Sequence, residues 1–195
     1  MTEYWKENPD GFINIHNECR YIDLHPFIAK FISAHKLSKI LDFGCGDGYQ
    51  MKLLNWGNIQ YAGLYDITDI MLETAKVNIN NPKAHFFNDI TKCNFKFDCV
   101  IINLVLMTIS TIEEQESLLN TIKSYMFKDA KLIIGLTHPC FRSYKFSTFH
   151  TEYAEDREYD YFDEGTSFKV FMQDGINQNK TRQNSTITIG HYQHQ

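Results

Sequence analysis

The amino-acid sequence predicts an α/β fold, in which a mainly parallel, doubly wound β-sheet has helices on both faces. Between Asp23 and Leu136, short apolar segments typical of buried strands alternate with helix-like segments, and the connections between them are short. The first of these strands also runs directly into a turn with three glycines at alternate positions, Gly44, Gly46 and Gly48, before a helix-like segment.

Each element of this alternation has a local signal. Pro26 falls in the first turn of the first helix, and Thr111 and Glu114 have the spacing of a capping box. The predicted helices run from Asp23 onward, from the glycine turn to about Trp56, from a cap at Thr68 or Asp69, and from Thr111 to about Phe127. The predicted strands are Lys39–Phe43, Ile59–Tyr65, Ala84–Phe87, Phe97–Asn103 and Lys131–Leu136.

The pattern changes after residue 138. Ser167–Gln173 alternates as a strand does, Asn184–Tyr192 is the candidate partner strand, and Asp174–Gln183 is predicted to be the connecting loop. His150–Gly165 is rich in aromatic and acidic residues and has no clear helical or strand period. We therefore predict a β-hairpin after an irregular segment.

Composition excludes several classes of protein. The chain has 195 residues, 43% hydrophobic and 22% charged, which fits one globular domain, and its net charge of −5 argues against a tight nucleic-acid binder. We find no secretory signal pattern and no apolar stretch of the roughly 18–20 residues that span a bilayer. Five cysteines without a C-x-x-C pair favour a reducing compartment over disulfides or zinc. We expect a cytoplasmic protein with no metal site and no membrane contact.

Polar residues recur at the points where the predicted strands end. They are Asp42, Asp66, Asp89, Asn103 and His138. The carboxyl ends of parallel strands lie along one edge of a sheet, and ligands bind there. Asp66 can accept hydrogen bonds from the ribose hydroxyls of an adenosine, and Asp89 from an adenine amine, with the Ile90 amide facing a ring nitrogen. Both carboxylates can instead cap a helix or turn. Asp42 can fix the glycine turn or face the ammonium of a bound amino acid.

Four segments in this region resemble the motifs of class I S-adenosylmethionine-dependent methyltransferases. Residues 40–48 (ILDFGCGDG) look like motif I, residues 66–76 resemble the second-strand motif and its helix, Asn88–Ile90 matches the adenine-contacting position, and residues 97–106 resemble the fourth-strand motif. The resemblance covers about residues 36–137. It implies a Rossmann-like fold and S-adenosylmethionine as cofactor. The cofactor-binding residues that it implies are Asp42, Gly44, Cys45, Gly46, Asp66, Ile67, Met71, Asp89, Ile90, Asn103 and Leu104.

The acceptor side is predicted from position. His138 follows the fifth strand and can act as a general base, although it can equally well fix the turn before Pro139. Residues 137–141 (THPCF) resemble an HPCF motif of some bacterial small-molecule methyltransferases. Aromatic residues on both sides of the core are candidates for a lid and an acceptor pocket, with core packing as the alternative. They are Tyr4, Trp5, Tyr21, Phe141 and Tyr153.

The resemblance implies a seven-stranded sheet, and residues after 138 do not show the pattern of its last strands. Either this ending is atypical, or the chain is truncated, or a second chain completes the sheet, so we expect a homodimer or a partner subunit. We predict a single domain, residues 1–195. Its parts are an N-terminal helical lid (1–36), a cofactor-binding core (37–137), and a substrate-side loop and hairpin (138–195).

The leading functional hypothesis is a methyltransferase that acts on O, N or C of a small molecule. The alternatives are an RNA or protein methyltransferase, which would need a basic groove, and a non-catalytic S-adenosylmethionine-binding scaffold or activator subunit. A nicotinamide-dependent oxidoreductase is disfavoured, because the glycines do not follow the G-x-G-x-x-G pattern.

Overall fold

The computed structural model describes residues 23–109 and 111–136 with their side chains, and four further strands between residues 149 and 188 by their backbone. The chain divides into two compact units. One contains the described residues up to 103 together with 119–135, and the other contains the described residues of 104–118 and of 136–188. The two units are described separately.

The first unit is built on a five-stranded sheet. Its strands are β1 (Lys39–Phe43), β2 (Tyr61–Tyr65), β3 (Ala84–Phe87), β4 (Phe97–Asn103) and β5 (Met126–Gly135). All pairings are parallel, in the order β3-β2-β1-β4-β5. The order reverses at β1, so β1 and β4 form the switch point at whose carboxyl ends such sheets bind ligands. The predicted parallel, doubly wound fold is confirmed.

Four α-helices are described, and none of them has the length and apolarity needed to cross a bilayer. They are α1 (His25–Ala34), α2 (Tyr49–Lys52), α3 (Asp69–Asn78) and α4 (Ile112–Ser124), and short 3₁₀ turns cover Ile90–Lys92 and Leu106–Thr108. The predicted cap of α4 is confirmed, since the Glu114 amide donates to Thr111 Oγ1 at 3.2 Å. The cytoplasmic location stays a prediction.

Helix α2 is shorter than the sequence predicts, because it ends at Lys52 and not near Trp56. The Asn55 side chain accepts a hydrogen bond from the Gly57 amide at 3.2 Å, and the Asn55 carbonyl accepts one from the Asn58 amide at 3.0 Å. Asparagine and glycine thus form a local turn that competes with further helix. The prediction for the end of this helix was wrong for that reason.

The core of this unit lies around β1, β2 and β4. Strand β4 is buried on both faces, and Cys99, Val100, Ile101 and Ile102 are each fully buried. Helix α1 packs against this core through Ile28 and Ile32, and α3 through Leu72 and Ala75. The three cysteines among the described residues, Cys45, Cys93 and Cys99, are free thiols and buried.

Strand β5 begins earlier than predicted, at Met126 and not at Lys131. Its pairing with β4 breaks between Phe97, which pairs with Met126, and Cys99, which pairs with Lys131. Residues 127–130 therefore form an irregular stretch of β5. Apolar and polar residues do not alternate there, so the sequence does not indicate a strand. Leu132 and Ile134 of β5 keep about two fifths of their surface exposed, at 40% and 39%. A homodimer or partner subunit beside this strand stays a prediction.

The second unit contains a small antiparallel sheet around β7 (Ser167–Gln173), whose bounds match the prediction. Strand β9 (Thr186–Thr188) pairs with it inside the predicted partner segment. Strands β8 (Thr181–Arg182) and β6 (Phe149–Glu152) also pair with β7. The sequence missed both, because strands of two and four residues are too short to show a period.

The start of β1 is held by a partly buried side chain, the Asp98 clamp, which provides a test of the fold. Asp98 accepts hydrogen bonds from the Ser38 amide at 2.9 Å, the Lys39 amide at 3.0 Å and the Ser38 hydroxyl at 3.2 Å. Removal of this carboxylate leaves partly buried backbone donors unpaired. We expect Asp98→Ala to lower the free energy of unfolding by about 2–3 kcal/mol, as measured by urea denaturation.

The matched control removes a carboxylate that binds only at the surface. Glu73 pairs with Lys76 on the exposed face of α3. Glu73→Ala is expected to change the free energy of unfolding by less than about 0.5 kcal/mol. Equal losses in the two variants would show that the clamp does not stabilise the sheet.

Candidate functional site

The glycine turn between β1 and α2 is anchored to the neighbouring strand. The amides of Gly44 and Cys45 both donate to the Tyr65 carbonyl, at 2.8 and 2.9 Å, at the carboxyl end of β2. Gly44, Gly46 and Gly48 have φ angles of 78°, 54° and 76°, in the left-handed region that favours glycine. Backbone hydrogen bonds and left-handed backbone geometry therefore help to fix the turn in place.

Gly48 and Gly46 lie in different surroundings, so the absence of a side chain has a different effect at each. A Cβ atom at position 48 would lie 2.8 Å from Ile79 Cδ1 and 3.1 Å from Ala75 Cβ, so Gly48 allows the turn to pack on α3. A Cβ atom at position 46 would meet nothing within 4 Å. Gly46 thus presents bare backbone to the space beside it, as a turn must if a ligand is to approach closely.

Asp66, at the end of β2, holds the other side of this turn. Its Oδ2 accepts from the Gly46 amide at 2.9 Å, and its Oδ1 accepts from the Thr68 amide at 3.0 Å, just before α3. The carboxylate is buried, with 9% of its surface exposed. The structural role that the sequence left open for Asp66 is therefore present, and it places the carboxylate beside the bare backbone of Gly46.

Asp42, near the end of β1, is buried without a full set of partners. It is 2% exposed, and its Oδ2 makes no hydrogen bond to the part of the chain that the structure describes. Burial raises the pKa of Asp42 from 3.8 to about 7, and the nearby carboxylates of Asp66 and Asp47 add to the rise. An unpartnered buried carboxyl group of this kind either keeps its proton or needs a cation.

Asp42, Asp47 and Asp66 form an acidic cluster around the glycine turn. The one lysine–carboxylate or arginine–carboxylate ion pair between described residues is the exposed Lys76–Glu73 pair. The cluster therefore has no counter-charge from the part of the chain that the structure describes. Such a site favours a ligand with a positively charged group and disfavours the phosphates that dinucleotide-binding turns hold.

Asp47 is a member of the cluster that the sequence analysis missed. It is buried, its Oδ1 accepts from the Tyr49 amide at 3.1 Å, and its carbonyl accepts from Asn78 Nδ2 at 2.8 Å. Its negative charge also helps to raise the pKa of the Cys45 thiol, for which burial is the largest cause. Its position inside the glycine turn, two residues before a helix, is the signal that could have identified it.

The end of β4 lies beside β1 and has two unusual features. Asn103 Oδ1 is buried without a hydrogen-bond partner, and the side chain occupies the space over its strand neighbour Gly135, where a Cβ atom would overlap it. The next residue, Leu104, has a φ angle of 58°, which is strained for a residue with a side chain. Strain of this type is concentrated at functional sites.

Asp89 has a structural role at the end of β3. Its Oδ1 accepts from the Thr91 amide at 3.0 Å and from the Thr91 hydroxyl at 2.7 Å, so it caps the 3₁₀ turn that begins at Ile90. These hydrogen bonds lower the pKa of Asp89. Its predicted contact with adenine stays a prediction.

The remaining predicted site residues fall into two groups. Met71, in the first turn of α3, and Cys45 are buried, and Ile67 is half-buried. Six predicted catalytic or substrate residues lie outside the described residues: Tyr4, Trp5, Tyr21, His138, Phe141 and Tyr153. Within the described part of the chain, no group of three histidine, cysteine, aspartate or glutamate side chains could hold a metal ion.

Comparison with known proteins adds an independent finding. A family model described as a methyltransferase domain matches residues 13–173. No curated protein sequence matches this chain. Solved structures share its fold at low identity, so they support the fold alone.

Three of these structures illustrate the similarity. An S-adenosylmethionine-dependent methyltransferase from Clostridium acetobutylicum is 17% identical over 90% of this chain and 78% of its own length, with a TM-score of 0.60. DesVI from Streptomyces venezuelae is 14% identical over 95% of this chain and 84% of its own, with a TM-score of 0.62. CalS10, an amino pentose methyltransferase from Micromonospora echinaspora with bound S-adenosylmethionine, is 18% identical over 77% and 62%, with a TM-score of 0.52.

The pKa of Asp42 leads to a prediction about stability. Between about pH 4 and pH 7 the unfolded chain has lost this proton while the folded protein keeps it. The stabilisation that the bound proton of Asp42 gives the folded protein is therefore fully present below about pH 4. It is lost as the pH rises to about 7. Relative to wild type, Asp42→Asn is expected to gain about 1.4 kcal/mol in free energy of unfolding per pH unit over this range.

Urea denaturation of both proteins at a series of pH values measures this difference. The difference should level off above about pH 7, where both states of the wild type are ionised. Parallel pH profiles for wild type and variant would mean that Asp42 titrates normally in the folded protein.

Proposed function

This chain belongs to the class I S-adenosylmethionine-dependent methyltransferases, and we propose that it transfers a methyl group from S-adenosylmethionine to an O, N or C atom of a small molecule. The observation that carries this proposal is the arrangement of the glycine turn and its acidic cluster. Bare backbone at Gly46 lies beside the buried carboxylate of Asp66, which interacts with the buried carboxyl group of Asp42. A ligand with both an adenosine and a cationic tail matches that arrangement.

The order of the strands suggests how the cofactor lies along the edge of the sheet. Asp66 and Asp89 follow the adjacent strands β2 and β3, whereas Asp42 and Asn103 belong to the adjacent strands β1 and β4. In this proposal the adenosine lies on the β2–β3 side and the amino-acid tail on the β1–β4 side. Ile67, Met71, Ile90 and Leu104 are the accompanying apolar and backbone contacts.

Asp66 can serve the turn and the cofactor together. A carboxylate has about four acceptor positions, and the Gly46 and Thr68 amides use two of them. The remaining positions are sufficient for the two hydroxyls of a ribose. The structural role of Asp66 thus orients the carboxylate for binding and does not compete with it.

The protein has a limited task in the chemistry. S-adenosylmethionine, when bound, supplies a methyl group that is already electrophilic. The chain must align the acceptor with the carbon–sulfur bond and exclude water. We propose that Tyr4, Trp5 and Tyr21 cover the cofactor and that Phe141 and Tyr153 line the acceptor pocket. His138 acts as general base where the acceptor carries a proton of high pKa.

A small-molecule acceptor is supported by charge and by one neighbour. The net charge of −5 disfavours RNA as the acceptor. CalS10, one of the similar structures, is an amino pentose methyltransferase. We therefore place the acceptor among small molecules.

The test combines binding with transfer. Titration calorimetry with S-adenosylhomocysteine should give heat, and radiolabelled S-adenosylmethionine should label members of a small-molecule panel. Label in RNA or protein would move the acceptor to that class. Binding that yields transfer only when a partner protein is added would support a scaffold or activator subunit. A folded protein that binds neither form of the cofactor would overturn the proposal.

Asp66 provides a residue-level test of the cofactor site. Asp66→Ala removes a carboxylate that is proposed to bind the ribose, and should weaken S-adenosylhomocysteine binding by about 1.5–3 kcal/mol, or roughly 10- to 150-fold. Calorimetry measures this loss, and circular dichroism checks that the variant is folded.

The control is a carboxylate three residues further along the chain. Asp69 is exposed at the start of α3 and accepts from Asn88 Nδ2 at 2.7 Å. Asp69→Ala is expected to leave the affinity within about twofold of wild type, since surface changes have small effects. Equal affinities for Asp66→Ala and wild type would remove Asp66 from the site.

His138 is tested by its kinetic signature. If it takes a proton from the acceptor, His138→Ala should lower kcat by about 100-fold or more and leave the Kd for the cofactor unchanged. The acidic limb of the pH–rate profile should also disappear. His35→Ala, at the exposed end of α1, is the control histidine. Unchanged turnover in His138→Ala would assign His138 to the turn before Pro139.

A further inference from the structure

Asp42 lies at the switch point of the sheet, in the middle of the acidic cluster. Its strand neighbours are Leu64 on β2 and Ile101 on β4, both fully buried, so solvent does not reach it from the sides. No described residue donates a hydrogen bond to its Oδ2. A buried carboxyl group in this position is stable only as the neutral acid or beside a cation.

Two other carboxyl groups in the described part of the chain oppose the ionisation of Asp42. They are Asp66 at the end of β2 and Asp47 in the glycine turn. The thiols of Cys45 and Cys99 also face it, but burial raises the pKa of Cys99 to about 12 and that of Cys45 well above its ordinary value, so both thiols stay neutral. Asp42, with a pKa of about 7, changes its charge near neutral pH.

We propose that Asp42 is protonated in the free protein and releases this proton to solvent when the ammonium group of the cofactor's amino-acid tail binds beside it. The inference rests on the proposed function, because it requires S-adenosylmethionine or its product as the ligand. The O–H bond of the carboxyl group breaks, the proton passes to buffer, and the carboxylate forms an ion pair with the ammonium. No covalent bond to the ligand forms.

This exchange makes cofactor affinity depend on pH in a defined direction. Below about pH 7 the free protein holds the proton that binding must expel, so each lower pH unit should weaken binding by up to about tenfold. At higher pH the amino group of the ligand loses its own charge in turn. The affinity should therefore be greatest between the pKa of Asp42 and the pKa of that amino group.

A competing arrangement has the opposite signature. If neutral Asp42 instead donates its O–H to the carboxylate of the tail, the proton stays in the complex. Binding would then release no proton and would weaken as the pH rises through about 7, because Asp42 ionises there. The number of protons released distinguishes the two arrangements.

The experiment is titration of the wild-type protein with S-adenosylhomocysteine in buffers of different ionisation enthalpy. The dependence of the observed heat on that enthalpy gives the number of protons exchanged. We expect close to one proton released at about pH 6. 5′-Methylthioadenosine, which has the adenosine and the sulfur but no amino-acid tail, should bind with no proton release.

Two variants make the assignment specific. Asp42→Asn has no proton to lose, so release at about pH 6 should disappear and its affinity should stop rising with pH in this range. Asp69→Asn, on the exposed start of α3, should release the same number of protons as wild type. The comparison of the two ligands needs only wild-type protein, so it remains valid even if Asp42→Asn does not fold.

Measurable binding of S-adenosylhomocysteine without proton release overturns the inference, and so does equal release with 5′-methylthioadenosine. Unchanged release in folded Asp42→Asn also overturns it. These outcomes leave the proposed function standing. Absence of any binding by either ligand to folded wild-type protein is the separate failure of the proposed function, and the inference fails with it.

Discussion

The burial of negative charge at the carboxyl end of β1 is the constraint on which the site depends. Moving an ion out of water costs several kcal/mol unless a partner or a proton compensates. Asp47 accepts a hydrogen bond from the Tyr49 amide, and Asp66 accepts hydrogen bonds from the Gly46 and Thr68 amides. Asp42 has no such donor on Oδ2 among the described residues. The fold tolerates this because a neutral acid can be buried at modest cost. In our proposal the ammonium group of the cofactor supplies the missing positive charge.

Much of the first unit could be predicted from the sequence, because its boundaries depend on local signals. Strands β1, β3 and β4 have the predicted bounds, since glycine, aspartate or asparagine punctuates each of them. The errors arose where a distant or side-chain contact decided the outcome. The turn at Asn55 follows the early end of α2. Irregular pairing with β4 near Asp98 moves the start of β5 from the predicted Lys131 to Met126.

The candidate site was predictable in position and less so in detail. Strand order brings the ends of β1, β2 and β4 together, which the pattern of aspartates indicated. The effect of Asp47 on Asp42 depends on distances inside the glycine turn, which no spacing rule supplies. The strained backbone of Leu104 and the hydrogen bond from the Thr91 hydroxyl to Asp89 also depend on local geometry. Different sequences reach such geometry in different ways, so a sequence pattern does not predict it.

Strand β1 pairs with one strand that is near in sequence and with one that is distant, and this difference bears on how the site forms during folding. Residues 39–43 pair with residues 61–65, a short distance along the chain, and residues 40–42 with 99–101, much further away. Closing the longer loop costs more chain entropy and lowers the folding rate of such topologies. Asp42 is shielded by β4 only after this closure. We therefore expect its dehydration to belong to the late, non-local part of folding, after the β1–β2 pairing has formed.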